Sequence, residues 1–164
     1  LFDNENLNEI IWEYFVPVII SESSYLELYN EIKDKRKESY KLKFNDDSIK
    51  IMDLNGNILN TTLTENGYDF FNLTSFIAKY AVDTSFLQQD LISYSTKNNF
   101  ATSFYLASKY IDFASLSNKE IRSEIIELSN IYLNEAILHL ESGDLEGKII
   151  SSQAVKLVRV KQQL

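Results

Sequence analysis

A stripe of apolar residues between positions 121 and 140 constrains the fold more than any other feature of this sequence. Its members recur every three or four residues, which places them on one face of a helix: Ile121, Ile125, Leu128, Tyr132, Ala136 and Leu140. The same face is widened by Ile126, Leu133 and Ile137. The segment Ser117-Asn118-Lys119-Glu120 has the form of a capping box and predicts the start of the helix, and Gly143 predicts its end. An apolar face this wide predicts a central, largely buried helix.

Similar spacing elsewhere predicts further helices, about six in the whole chain. Capping boxes formed by Asn6 with Glu9 and by Ser24 with Glu27 predict the starts of the first two, and Pro17 predicts the end or a kink of the first. Their apolar faces are Leu7, Ile10, Ile11, Tyr14 and Phe15, then Tyr25, Leu28, Tyr29 and Ile32. Later faces are Phe71, Phe76, Ile77, Tyr80 and Ala81, then Phe86, Leu87, Leu91 and Ile92, then Phe100, Phe104, Ala107, Ile111 and Ala114. Residues 145–163 fit a last helix, although VKLVRVK within them also fits a strand.

Between residues 40 and 64 the apolar period changes from helical to two. YKLKF alternates, with Tyr40, Leu42 and Phe44 on one side, and the segments SIKIMDL and ILNTTLT that follow also have strand-like patterns. Three short segments with tight connections predict a three-stranded antiparallel meander with one face covered by helices. The predicted fold class is therefore α+β, mostly helical, with residues 1–164 forming a single globular domain.

The segment Asp53-Leu54-Asn55-Gly56-Asn57 resembles the beginning of a calcium loop but fits a turn better. A calcium loop needs a glycine at its sixth position and a glutamate at its twelfth, whereas DLNGNILNTTLT has Ile58 and Thr64 there. Asn55-Gly56 is a strong hairpin signal, because both residues tolerate positive φ. We therefore predict a hairpin turn at Asn55-Gly56.

The chain is poor in residues for catalysis. It has no cysteine and four glycines, and His139 is its only histidine, so thiolate chemistry, phosphate-cradling loops and a complete histidine-based catalytic set are not expected. Glu135 lies four residues before His139 on the same helical face, which is only the beginning of a metal site. We predict no catalytic residue, no cofactor and no metal. A metal-dependent enzyme is the least favoured alternative, and its candidate residues are Asp46, Asp47, Asp53, Glu135 and His139.

Negative charge is concentrated at the start of the chain. The net charge is −8, and residues 1–31 contain seven acidic residues and no lysine or arginine. Such a surface repels nucleic acid and attracts a basic protein, although acidic residues on a helix often do no more than face water. We therefore predict a non-catalytic binding protein, most concretely an immunity or antitoxin protein that neutralises a basic, nuclease-like toxin. The candidate partner-binding residues are Glu5, Glu9, Glu13, Glu22, Glu27 and Glu31.

Two further expectations concern the protein's context. The chain begins without methionine and has a basic tail containing Lys156, Arg159 and Lys161, which favours an alternative function as a helical adaptor domain of a larger protein. No apolar run approaches the roughly 20 residues that cross a bilayer, and the first residues lack a basic signal region. We expect a soluble, cytoplasmic protein that binds neither membrane nor nucleic acid.

Overall fold

The structure, a computed structural model, describes residues 5–62 and 73–141. In this part of the chain the regular elements are seven α-helices and one short 3-10 helix, Ser85–Leu87. The α-helices are α1 Glu5–Tyr14, α2 Glu22–Ile32, α3 Glu38–Asn45, α4 Leu73–Tyr80, α5 Gln88–Thr96, α6 Phe100–Leu116 and α7 Arg122–Glu141. None of the described helices has the length and apolar character needed to cross a membrane.

The chain divides into two compact units. The first consists of Leu1–Ile51 with Asn60–Asp83, and the second of Met52–Leu59 with Thr84–Leu164. Helices α1 to α4 belong to the first unit, and α5 to α7 belong to the second. The single globular domain stays a prediction.

In the first unit, α1 packs against α4. Leu7 and Ile11 of α1 are buried with Ile77 of α4, as their helical spacing predicts. The cluster is completed by the partly buried side chains of Ile10, Phe15, Leu73 and Phe76. Helix α1 ends at Tyr14, three residues before Pro17, which confirms the predicted end.

Helix α2 packs against α3 through aromatic rings. The ring centroids of Tyr25 and Tyr29 lie 4.5 and 6.2 Å from that of Phe44. The predicted face of α2 is confirmed, because its half-buried residues are Tyr25, Leu28, Tyr29 and Ile32. The predicted cap is wrong: the side chain of Ser21, not Ser24, caps the helix by accepting a hydrogen bond from the backbone N–H of Ser23 at 3.3 Å.

The predicted strand at residues 40–44 is wrong, because these residues belong to α3. Tyr40 and Phe44 are both buried, and a spacing of four residues satisfies a helix as well as a strand. The residues between them distinguish the two structures. Leu42, which a strand would place beside Tyr40 and Phe44, is 50% exposed, whereas Lys43 is only 2% exposed.

The other two strands of the predicted meander are also absent. Between residues 45 and 62 the structure has one isolated antiparallel bridge, Met52 with Ile58, and no strand. The buried side chain of Asn60 takes the place of a neighbouring strand: its Oδ1 accepts a hydrogen bond from the Ile51 N–H at 2.7 Å, and its Nδ2 donates to the Ile49 carbonyl at 2.9 Å. The α+β class is therefore wrong for the described chain, whose regular elements are all helical; the last two residues of the predicted third strand lie outside it.

In the second unit, α6 and α7 form a helical hairpin. The five residues between them make the helices antiparallel neighbours. The connection is held by Asn118, whose Oδ1 accepts a hydrogen bond from the Glu120 N–H at 3.1 Å, and by Arg122, whose Nε donates to the Ala114 carbonyl at 2.9 Å. The predicted stripe of α7 is confirmed at its buried members, Ile121, Ile125, Leu128, Tyr132 and Ala136. The predicted end at Gly143 and the predicted helix at residues 145–163 lie outside the described residues.

The buried face of α6 is rotated from the predicted one. Phe100 and Phe104 are only half-buried, although Ala107, Ile111 and Ala114 are buried as predicted. The buried side chains that the prediction omitted are Ser103, Leu106, Tyr110 and Phe113. Ser103 and Tyr110 can be buried because their hydroxyl groups find hydrogen-bond partners.

Candidate functional site

The turn between Met52 and Ile58 is the part of the second unit where polar groups converge. The backbone N–H of Gly56 donates to the Asp53 carbonyl at 3.0 Å, so Leu54 and Asn55 are the two central residues of this turn. Gly56 follows with φ at +77° and is the one described residue with a positive φ. The prediction is confirmed as a turn, but the turn is centred one residue earlier than predicted, no strands within residues 45–62 flank it, and positive φ is confined to Gly56.

The side chain of Asp53 is held by four hydrogen bonds. Its Oδ1 accepts from the backbone N–H groups of Asn55 and Asn57, each at 2.9 Å, which stabilises the turn from within. Its Oδ2 accepts from the hydroxyl of Tyr110 in α6 at 3.0 Å and from the hydroxyl of Tyr132 in α7. The carboxylate therefore joins the turn to both helices of the hairpin.

The two tyrosines form a stacked pair beside the turn. The ring centroids of Tyr110 and Tyr132 lie 5.5 Å apart with an angle of 6° between the ring planes. The Tyr132 hydroxyl also accepts hydrogen bonds from Nδ2 of Asn55 at 3.2 Å and of Asn57 at 2.9 Å. Asn55 in turn accepts a hydrogen bond from the Ser95 hydroxyl of α5 at 2.6 Å, so the three described α-helices of this unit, α5, α6 and α7, all contact this network.

Burial shifts the titration of this cluster. Burial raises the pKa of the Asp53 carboxyl and outweighs the opposing effect of its four hydrogen-bond donors. Burial, together with the negative charge of Asp53, raises the pKa values of Tyr110 and Tyr132. Both hydroxyl groups are therefore protonated donors at neutral pH, and neither is a base.

The cluster fastens the turn rather than presenting a reactive group. The Asp53 oxygens face donors of its own turn and of the two helices, and the tyrosine hydroxyls face Asp53. Sequence reasoning missed Tyr110 and Tyr132 as partners of Asp53. The available signal was the position of Tyr132 in the centre of the apolar stripe, since a buried tyrosine hydroxyl usually needs a partner.

The candidate pair Glu135 and His139, which belonged to the least favoured alternative, does not form a common site. Glu135 Oε2 accepts a hydrogen bond from the Tyr94 hydroxyl, whereas Nε2 of His139 lies 2.7 Å from Oδ1 of Asn98. Asn98 connects these contacts, because its Nδ2 donates to the Tyr94 hydroxyl at 3.1 Å. Throughout residues 5–62 and 73–141, no group of three histidine, cysteine, aspartate or glutamate side chains is placed to hold a metal ion.

Asp46, another candidate metal ligand, lies in the first unit and is paired with lysines. Lys43 Nζ lies 3.5 Å from Oδ2 and Lys50 Nζ 3.4 Å from Oδ1 of Asp46, and the Ser48 backbone N–H donates to Oδ1 at 3.0 Å. Burial opposes ionisation here, but the Ser48 hydrogen bonds and the two lysine charges outweigh it and lower the pKa of Asp46. Asp47 is exposed.

The six predicted partner-binding glutamates are all exposed on the first two helices: Glu5, Glu9, Glu13, Glu22, Glu27 and Glu31. The three on α1 are four residues apart and span about 80° of the helix surface, so they share one face. Glu27 and Glu31 share a face of α2, whereas Glu22 lies about 140° away from Glu27.

The connection between α1 and α2 exposes large apolar side chains. Val16, Val18 and Ile19 are 87%, 75% and 98% exposed, and Ile20 is also exposed. Trp12, the only tryptophan in the chain, is 64% exposed on the last turns of α1. Apolar surface concentrated in this way is typical of an interaction site.

Comparison of the chain with protein-family models, with curated proteins and with solved structures finds no match in any of the three.

Proposed function

We propose that this chain is a non-catalytic binding protein that engages a basic protein through α1, α2 and the connection between them. One observation carries the proposal: exposed apolar side chains between Trp12 and Ile20 are flanked on both sides by exposed glutamates. Charged groups around an apolar centre are the usual anatomy of a protein interface. Residues 1–31 contain no lysine or arginine, which favours a partner that supplies the complementary charge.

The glutamates and the apolar residues have separate roles in this proposal. Exposed ion pairs contribute little free energy each, about 0.2–1 kcal/mol, but a surface of one sign speeds association with a partner of the opposite sign. Burial of the exposed valine and isoleucine side chains supplies most of the affinity. Binding is therefore expected to weaken as salt is raised, so that a salt step releases the partner, whereas a complex held by apolar contacts alone would not be released.

The negative charge of the chain predicts a more specific form of this proposal, in which the chain inhibits a basic, nuclease-like toxin. This specific function stays a prediction. A helical adaptor is the second candidate function. The exposed apolar residues of the connection favour it, because an adaptor can be held by apolar contacts alone. Such an adaptor would bind its partner regardless of salt.

The test compares the wild-type chain with a triple variant, Glu5→Gln, Glu9→Gln and Glu13→Gln. Each is used as bait in lysate of the source organism at low salt, and proteins released by raising the salt are identified by mass spectrometry. We expect a basic protein that binds wild type and whose association rate falls roughly tenfold for the triple variant.

A matched control changes the net charge equally at exposed sites of the second unit, through Asp112→Asn, Glu120→Gln and Glu141→Gln. Equal losses in the two triple variants would show that total charge, not this surface, determines binding. Retention of the partner at high salt by all three proteins would support the adaptor instead.

A further inference from the structure

The middle of the described connection between α1 and α2 lacks backbone hydrogen bonds in addition to exposing its side chains. Within the described chain, no backbone hydrogen bond involves residues 16–20, and they form no regular structure. Pro17 restricts its own φ and disfavours a helical conformation at Val16. Valine and isoleucine at the remaining positions favour an extended backbone. Amides without backbone hydrogen bonds, restricted torsions and β-branched side chains together favour a segment that can pair as a strand.

Pro17 makes the two edges of such a strand unequal. Backbone groups alternate along a strand, so the N–H and C=O groups of Val16, Val18 and Ile20 point to one edge and those of Pro17 and Ile19 to the other. Pro17 has no N–H, which weakens the second edge as a hydrogen-bonding surface. The edge formed by Val16, Val18 and Ile20 is complete.

We propose that residues 16–20 add as a strand to the open edge of a β-sheet in a basic protein, pairing through Val16, Val18 and Ile20. This inference rests on the proposed function and specifies its mode of contact. Main-chain hydrogen bonds supply affinity in strand addition, and the flanking side chains supply specificity. Glu13 and Glu22 lie at the two ends of the segment and favour lysine or arginine beside the partner strand.

Charge argues against a second copy of this chain as the occupant. Two copies paired through this segment would bring together two surfaces that each carry the six exposed glutamates of α1 and α2, and residues 5–31 include no lysine or arginine. Like charges placed opposite each other destabilise strand pairing.

The probe for this proposal is a short peptide of alternating lysine and valine, with a peptide of alternating glutamate and valine as its counterpart. Trp12 is the only tryptophan and lies four residues before Val16, so its emission reports binding directly. We expect the lysine peptide, and not the glutamate peptide, to shift Trp12 emission to shorter wavelength. Backbone amide resonances of Val16, Val18 and Ile20 should move more than that of Ile19.

Two proline variants form the matched pair. Val18→Pro removes an N–H from the pairing edge, whereas Ile19→Pro removes one from the opposite edge, and both positions are exposed outside the helices. We expect Val18→Pro to weaken binding of the lysine peptide roughly tenfold and Ile19→Pro to change it less than about twofold. Unchanged far-UV circular dichroism of both variants establishes that the fold is kept.

The outcomes separate this mode of contact from the function on which it rests. Equal effects of the two prolines, or no binding of the lysine peptide by wild type, refute strand addition. The proposed function would remain supported in that case if the triple glutamine variant of α1 captures less of the basic protein from lysate than wild type does. Only the mode of contact would then be wrong. If the wild-type chain self-associates with increasing concentration and Val18→Pro abolishes this, the strand's partner is a second copy of the chain and not a basic protein.

Discussion

Replacement of Tyr132 by phenylalanine tests the role of the Asp53 cluster with little disturbance of packing. Phenylalanine keeps the ring and its stacking on Tyr110, whose centroid lies 5.5 Å away, and removes the hydroxyl alone. That hydroxyl donates to Asp53 Oδ2 and accepts from Nδ2 of Asn55 at 3.2 Å and of Asn57 at 2.9 Å. The loss therefore includes one hydrogen bond to a carboxylate and two to amides.

The magnitude follows from the burial of each partner. A hydrogen bond to a charged group contributes ~1.5–3 kcal/mol, and a neutral one ~1 kcal/mol. Asn57 is buried, so loss of its hydrogen bond costs more than loss at Asn55, which is half-exposed and recovers hydrogen bonds to water. We expect Tyr132→Phe to lower the free energy of unfolding by about 3 kcal/mol.

Two other tyrosines provide comparisons for the free-energy change expected for Tyr132→Phe. The Tyr110 hydroxyl donates to Asp53 at 3.0 Å, so Tyr110→Phe should cost about 1.5 kcal/mol. Tyr105 is 62% exposed, and Tyr105→Phe should cost less than about 0.5 kcal/mol. The assay is urea unfolding followed by circular dichroism at a helical wavelength, because Trp12 lies in the other unit. Tyr132→Phe costing no more than Tyr105→Phe would refute the fastening role of the cluster.

Three further predictions concern charge and backbone strain. Because burial raises the pKa of Asp53 above its unfolded value of about 3.9, its contribution to stability falls as pH rises through the folded pKa. Urea unfolding at several pH values should therefore show this decline in wild type and in Asp112→Asn but not in Asp53→Asn. Gly56→Ala should lower the free energy of unfolding by ~1–2 kcal/mol in the same assay, because its φ is +77°. No atom lies within 4 Å of the added carbon, so the cost comes from the backbone torsion alone, and Gly56→Asn should cost less. Lys43→Met should raise the pKa of Asp46 in an NMR titration, because it removes a positive charge 3.5 Å away; an unchanged pKa would contradict that assignment.

The helices with wide or regular apolar faces could be predicted from sequence. The stripe of α7 repeats over five turns, so an error at one position leaves the pattern intact. The face of α2 was equally clear from Tyr25, Leu28, Tyr29 and Ile32. Its cap was not, because Ser21 and Ser24 both have the chemistry of a capping residue.

The meander could not be recognised as wrong from periodicity alone. Tyr40 and Phe44 fit a helix and a strand equally, so the prediction depended on Leu42 and Lys43. Leucine was assigned to the interior and lysine to the surface, as is usual. The structure reverses both because Lys43 Nζ reaches the Ser48 hydroxyl at 2.6 Å and lies near the Asp46 carboxylate, which makes its burial tolerable.

The Asp53 cluster was only half visible in the sequence. Asp53 followed by Asn55, Gly56 and Asn57 indicates a turn with a side-chain cap, and that part was predicted as a turn. Its partner Tyr132 is 79 residues away, and no local pattern connects residues so distant. The exposed segment after Trp12 was also missed, because an apolar run in a sequence is ordinarily assigned to the core.

The distance along the chain between Asp53 and Tyr132 has a consequence for the order of folding. The α6–α7 hairpin is held by contacts such as that of the Ser129 hydroxyl with the Ala107 carbonyl, 22 residues apart, whereas the turn is held across 79. Closing the longer loop costs about 1 kcal/mol more in chain entropy. The hairpin is therefore expected to form first and the turn to dock late, so Tyr132→Phe should accelerate unfolding and leave the folding rate nearly unchanged.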